Sequence, residues 1–238
     1  FMRLGWSQKQ ILRLIVTSAT YRQSSIVTPD LLDRDPRNRL LARQSRVRLE
    51  AEGVRDVALS ASGLLSQKML GPGVHPPQPK GIYVVTQVSK QWPESKGDDR
   101  FRRGLYTYFW RSSPYPMLPT FDAPDANGTC TRRNRSNTPL QALTLANDEA
   151  FMEFAEALSD RILKESSDYD DARIQFAFEA VLARQPSDFE QGRLLAFVAA
   201  QRKHFEAHAA DAKAAASPSR PASADEAASA TWTAFARV

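Results

Sequence analysis

Most of the side chains able to bind or transform a ligand gather between Arg102 and Asp148, in the run RRGLYTYFWRSSPYPMLPTFDAPDANGTCTRRNRSNTPLQALTLAND. Asp122 and Asp125 are three apart. Two carboxylates in unlike surroundings can divide the acid and base roles of a hydrolysis. The run Asp122 to Gly128 has a calcium loop's oxygens but lacks its closing bidentate Glu, and a proline-set turn explains it better. Arg132, Arg133 and Arg135, followed by Asn137, stand just ahead of a helix start at Thr138. Free amides and the dipole at a helix N-terminus favour anions, so an acidic sugar suits these arginines. Pairing inside the fold with the acids of residues 147–171, or with Asp122 and Asp125, is the preferred expectation. Tyr106, Tyr108 and Trp110 alternate, which puts three rings on one side of an extended segment. With Tyr115 they make a sugar-stacking or peptide-docking face, or simply part of the core.

Other chemistries lack a component. Cys130 has arginines nearby that favour a thiolate, yet no base is adjacent. It is the only cysteine, so no disulfide within the chain and no cysteine zinc site is available. His204 and His208 share one helix face, but a third ligand is missing and Arg202 and Lys203 repel a cation. The candidates for binding are therefore Arg103, Tyr106, Trp110, Asp122, Asp125, Cys130, Arg132, Arg133, Arg135, Asn137 and Gln141, with no catalytic residue assigned and no metal expected.

Local signals say what must hold these residues. Thr138-Pro139-Leu140-Gln141 is a capping box with proline at the first helical position. The helix it opens is expected to bury Leu140, Leu143, Phe151, Phe154, Leu158 and Ile162. Ser187 to Glu190 repeats the box and predicts a helix to about His208. Another helix is expected over Asp171–Ala183, with Ile174, Phe178, Val181 and Leu182 inward. Ser7-Gln-Lys-Gln10 also reads as a capping box, starting a helix whose apolar face is Ile11, Leu12, Leu14, Ile15 and Val16. Thr28-Pro29 and Asp35-Pro36 each read as an N-cap followed by proline. A longer helix is expected from Ser45 to about Leu65, and a short strand over Ile82–Val88.

These elements predict a mainly α fold: an irregular helical domain with a long ordered loop over about 71–137 and at most one short strand pair. Residues 1–208 are expected to form one domain. Residues 209–230, rich in Ala, Ser and Pro, read as an insertion or linker. Residues 231–238 begin a last helix. The chain starts and stops inside helical patterns, so it is expected to be a fragment of a longer protein.

The net charge of +5 is uneven. Residues 1–48 carry ten Lys/Arg against three acids, or +7, whereas residues 136–238 carry ten against sixteen, or −6. Internal pairing of these halves is expected rather than nucleic-acid binding. Of the 32 basic residues 24 are arginine, which suits carboxylate pairing better than lysine does. No apolar run approaches the ~20 residues of a transmembrane helix.

Several blocks together resemble one family: Trp6-Ser7 through Ser18-Ala-Thr-Tyr-Arg-Gln23, Asp98-Asp-Arg-Phe-Arg-Arg-Gly-Leu-Tyr-Thr-Tyr-Phe-Trp110, Phe121-Asp-Ala-Pro124, Cys130-Thr-Arg-Arg133, and Arg135 through Leu143 followed by Asn147-Asp148. The chain is similar to the planctomycete-type domain of unknown function 1553. The resemblance implies the C-terminal domain of an exported or periplasmic multidomain bacterial protein, with haem only in a separate cytochrome-c-like domain and no cofactor in this chain. It supplies no reaction. The expected function is binding or scaffolding in a polysaccharide-handling system, with other domains of the same protein or an acidic polysaccharide as partner. A hydrolase using Asp122 and Asp125 is one alternative. A structural domain packing on the rest of the protein is another, and an exposed apolar patch on the first helix would favour it.

Overall fold

The computed structural model describes residues 1–82 and 91–238, and the described chain is mainly α. It divides into two compact units, Phe1–Arg48 and Leu49–Val238, where one domain over 1–208 was expected. Apart from Ile82, the predicted strand falls on residues outside those described.

The smaller unit contains α1 (Gln8–Thr17) and α2 (Pro29–Arg34). Ser7 Oγ accepts the Gln10 amide at 3.3 Å, which satisfies one of the donors that a helix start leaves free, but the expected capping box is only half formed, without the return bond from the Gln10 side chain. Thr28 caps α2 in the same way, with proline at its first position. The expected helix start at Asp35-Pro36 is not formed. Asp35 instead follows α2, and its carboxylate accepts the amides of Arg39 at 2.8 Å and Leu40 at 2.7 Å. Those bonds, with Leu40 foremost, hold its carboxyl below the ordinary range. Arg43 donates to the carbonyls of Leu31 and Pro36. Asp35 and Arg43 are the buried side chains of this unit, and no apolar residue of 1–48 is buried.

The larger unit is built differently. It contains α3 (Ala51–Ala61), α4 (Met117–Thr120), α5 (Pro139–Asn147), α6 (Glu149–Glu165), α7 (Asp170–Leu182), α8 (Asp188–Ala207), α9 (Ala209–Ala215) and α10 (Glu226–Ala236). Its main core joins Leu158 and Ile162 of α6, Ile174 of α7, Val198 of α8, and Trp232 and Phe235 of α10. A second cluster joins Ala51 of α3 to Tyr115, Met117 and Phe121, and a third joins Leu59 of α3 to Phe154 of α6. The capping boxes at Thr138 and Ser187 are both complete.

Four local expectations change. The helix predicted from Ser45 covers only Ala51–Ala61, and Val47 is exposed. The helix from Thr138 breaks at Asp148, which caps α6 by accepting the Ala150 amide at 2.9 Å. Because the chain turns there, the apolar stripe does not run on: Leu140 and Leu143 are exposed and Gln141 is buried. On α7, Ile174 is buried, while Val181 and Leu182 are exposed. The expected linker over 209–230 holds α9 and the start of α10, with Ala212, Ser217, Ser229 and Ala230 buried. Small side chains look like low complexity in a sequence, but here they let backbones approach closely. Ser159 Oγ donates to the Ser229 carbonyl, and Ser217 Oγ donates to Asp160 at 2.7 Å.

Candidate functional site

The segment ahead of Thr138 is fixed to the larger unit by its charges. Arg133 meets Glu52 through both terminal nitrogens, Nη1 at 2.6 Å and Nη2 at 3.1 Å, and Nη1 also reaches Glu50 at 3.0 Å. Arg135 reaches the other Glu50 oxygen at 3.1 Å. Glu50 is the N-cap residue of α3 and Glu52 lies in its first turn, where negative charge is favoured by the helix dipole. Burial pushes the Glu52 carboxyl up, but the Arg133 hydrogen bonds outweigh it and hold the group below its usual value. Arg133 is raised in turn, by its hydrogen bonds to Glu52 first. The arginines therefore pair inside the fold, though with Glu50 and Glu52 rather than with the acids of 147–171 or with Asp122 and Asp125. Arg132 is exposed and forms no ion pair among the described residues.

Asp122 anchors the same segment from the other side. Its carboxylate accepts the Ser136 amide at 2.6 Å and the Ser136 hydroxyl at 2.8 and 2.9 Å, and Gln141 Nε2 approaches it at 3.4 Å. Gln141 also donates to the Thr120 carbonyl at 2.9 Å, so the buried capping glutamine ties α4 to α5. Asp125 faces a separate task. It accepts the Asn127 amide at 3.0 Å in an exposed turn, and that backbone bond lowers its carboxyl. The two carboxylates thus sit in different networks. Cys130 and Asn137 are exposed.

Nor do the aromatic residues form one row. The short 3-10 turn Gly104–Tyr106 breaks the extended alternation. Tyr106 lies under Arg102, whose guanidinium carbon is 3.6 Å from the ring centre, and its hydroxyl accepts the Leu70 amide at 2.9 Å. Tyr108 stacks on His75 at 4.8 Å and meets Trp110 edge-on at 5.9 Å. Trp92 completes the group, edge-on to Trp110 and stacked with the buried Tyr115 at 6.0 Å. Ring contacts of this kind belong to packed clusters. Tyr115 donates to the Pro77 carbonyl at 3.0 Å, and burial pushes its hydroxyl up to about 12.

Three anchoring positions escaped sequence reasoning. Arg55 and Arg102 are fully buried, and Asp56 holds Arg103. Arg55 donates to the carbonyls of Arg100 at 2.8 Å and Arg102 at 3.4 Å. Arg102 donates to those of Pro72, Lys68 and Leu70. Asp56 accepts from Arg103 Nε at 2.8 Å and from the Gly104 amide at 2.6 Å. These bonds tie residues 68–72 and 100–104 to one another and to α3. The available signal was register: Arg55 is four residues from both Ala51 and Leu59, inside the buried stripe of α3.

His204 and His208 stack at 4.4 Å, and His204 Nε2 lies 3.3 Å from Asp211. Among the described residues no three His, Cys, Asp or Glu side chains converge as a metal-ligand set. No helix among them is long and apolar enough to cross a membrane. Four cavities of about 210 to 410 Å³ in the larger unit are lined by none of the binding candidates. Arg103, Arg133, Arg135, Asp122 and Gln141 thus act as clamps, and exposed apolar side chains lie both beside them, at Leu105, Leu140 and Leu143, and on the first helix. On α1, Leu12 is 59% and Leu14 61% exposed, and Ile15 and Val16 are also exposed.

A family model described as PSD1, protein of unknown function (DUF1553), matches residues 1–198, and the chain belongs to that family. No curated protein and no solved structure matches it.

Proposed function

We propose that this DUF1553 chain is a structural domain that packs, through the apolar face of α1, onto other domains of the protein that carries it, the alternative that an exposed apolar first helix favours. The carrying observation is that residues 1–48 bury no apolar side chain while α1 presents Leu12, Leu14, Ile15 and Val16 outward. Apolar faces of that kind mark interaction surfaces. The wider setting, an exported bacterial protein that handles polysaccharide and carries its haem in a separate domain, is part of the proposal and rests on the resemblance alone. A direct sugar contact through Arg133 and Arg135 has lost its motive, because both are engaged by Glu50 and Glu52. The hydrolase alternative lacks support as well, since Ser136 and Gln141 engage Asp122 while Asp125 serves its own turn.

Amide hydrogen exchange tests this reading. Residues 8–17 are expected to exchange fast in the chain 1–238 and slowly in the whole protein. Leu12→Asp with Ile15→Asp is expected to abolish the protection while leaving the helical circular dichroism of the larger unit intact. Equal exchange in the two contexts would refute the proposal.

A further inference from the structure

The apolar face of α1 has unequal edges. Lys9, Arg13 and Val16 lie at spacings of four and three, so they run along one edge of the helix. Gln10, Leu14 and Thr17 have the same spacings on the other edge, which carries no charge. The whole unit follows the basic edge. It holds nine arginines and one lysine against three acids, and two of the three acids are already engaged. Asp30 pairs with Arg34 at 2.9 Å, and Asp35 accepts two backbone amides. Lys9 and Arg13 form no ion pair among the described residues. The Lys9 and Arg13 cations beside this apolar face match carboxylates, which a guanidinium binds bidentately.

Resting on the docking proposed above, we infer that the surface receiving α1 is a protein groove with an apolar floor and carboxylates along one wall, the wall that meets Lys9 and Arg13. A bilayer is the less suitable occupant. Exposed apolar residues are not confined to the α1 face but recur at Ile26, Leu32 and Leu40, and a flat interface takes up one face of a helix. A groove that wraps the segment satisfies the rest.

The experiment reads exchange protection of residues 8–17 in the whole protein at low and high salt. With the parent sequence, raising NaCl from about 0.05 M to about 1 M is expected to reduce protection roughly tenfold, because exposed charge pairs are screened. Lys9→Gln with Arg13→Gln is expected to lower protection by about as much at low salt and to remove most of the salt dependence. Gln10→Lys, on the uncharged edge, is expected to give no gain. If the Leu12→Asp, Ile15→Asp variant loses protection but the Gln variants keep the parent's protection and salt response, α1 docks without a carboxylate wall, and this inference falls while the docking survives. If none of the variants changes protection, the docking itself falls. A third arm mixes the chain 1–238 with vesicles of phosphatidylglycerol and phosphatidylcholine in equal parts. Protection of residues 8–17 matching that in the whole protein would make an anionic bilayer the occupant and overturn the inference; no protection supports it.

Discussion

Residues 1–48 and 49–238 differ in whether they bury apolar side chains at all. The larger unit closes Trp232, Ile162, Ile174 and Val198 into a core with no exposure to solvent. The smaller unit turns Trp6, Leu12, Leu14 and Leu40 outward and buries only the polar Asp35 and Arg43. Burial of apolar area is the main favourable term in folding, so a unit that lacks it depends on capping, loop hydrogen bonds and whatever covers it. The difference teaches that well-formed helix starts do not imply a self-sufficient fold. Ser7 and Thr28 cap helices in a unit with no hydrophobic core, using the same chemistry as Thr138 and Ser187 in the unit that has one.

If that contrast is right, substitutions should separate the two units by size of effect. Trp232→Ala, in the middle of the main core, is expected to cost about 3–5 kcal/mol and to lower the denaturant midpoint of the larger unit sharply. Next comes a pH effect. The buried Tyr115 hydroxyl is raised from 10 to about 12, so its neutral form is favoured in the folded state. Its contribution is complete below pH 10 and is lost as pH rises from 10 towards 12. The loss is expected to reach about 2–3 kcal/mol and to be smaller in Tyr115→Phe when stability is measured across that range. Gly104→Ala follows. Its added Cβ would lie 2.8 Å from the Glu52 Cα, against the backbone of α3. A cost of about 1–3 kcal/mol is expected from overpacking, read as a lower thermal midpoint with Arg103 released from Asp56.

The clamp at Glu52 is weaker, because Arg133 and Glu52 side chains each keep about a third of their surface exposed. Arg133→Ala is expected to cost about 1 kcal/mol or less, and less still at high salt in urea titrations. The smallest effect is reserved for the smaller unit. Leu12→Ala in the chain 1–238 is expected to change stability by no more than about 0.5 kcal/mol, since the side chain has no core to leave. A loss comparable to that of Trp232→Ala would erase the distinction between the units.

The sequence was most informative where a rule is local. The boxes at Thr138 and Ser187 each depend on residues three apart, and both form. It misled where one residue serves a distant partner. Leu140 and Leu143 match a buried stripe, but Asp148 turns the chain and leaves them exposed. Asp35-Pro36 has the form of a helix start, yet the carboxylate closes a loop onto Arg39 and Leu40. The Arg–aromatic segment was legible as ordered, and internal pairing of its arginines was expected, but the acids that receive them were not. The acids that meet Arg133 and Arg135 lie more than eighty residues earlier, at Glu50 and Glu52, and charge alone does not say which of many acids will be near.

Residue type and short spacing were enough to establish a mainly α chain, its strongest helix starts and an amphipathic first helix with a basic surplus around it. Tertiary structure alone decided that Arg55 and Arg102 are buried against backbone carbonyls, that Tyr106 leaves the aromatic row, and that the first forty-eight residues close no core. The physical reason is range. Capping and periodicity act within a turn or two of helix, whereas pairing and burial depend on which distant segments the chain brings together.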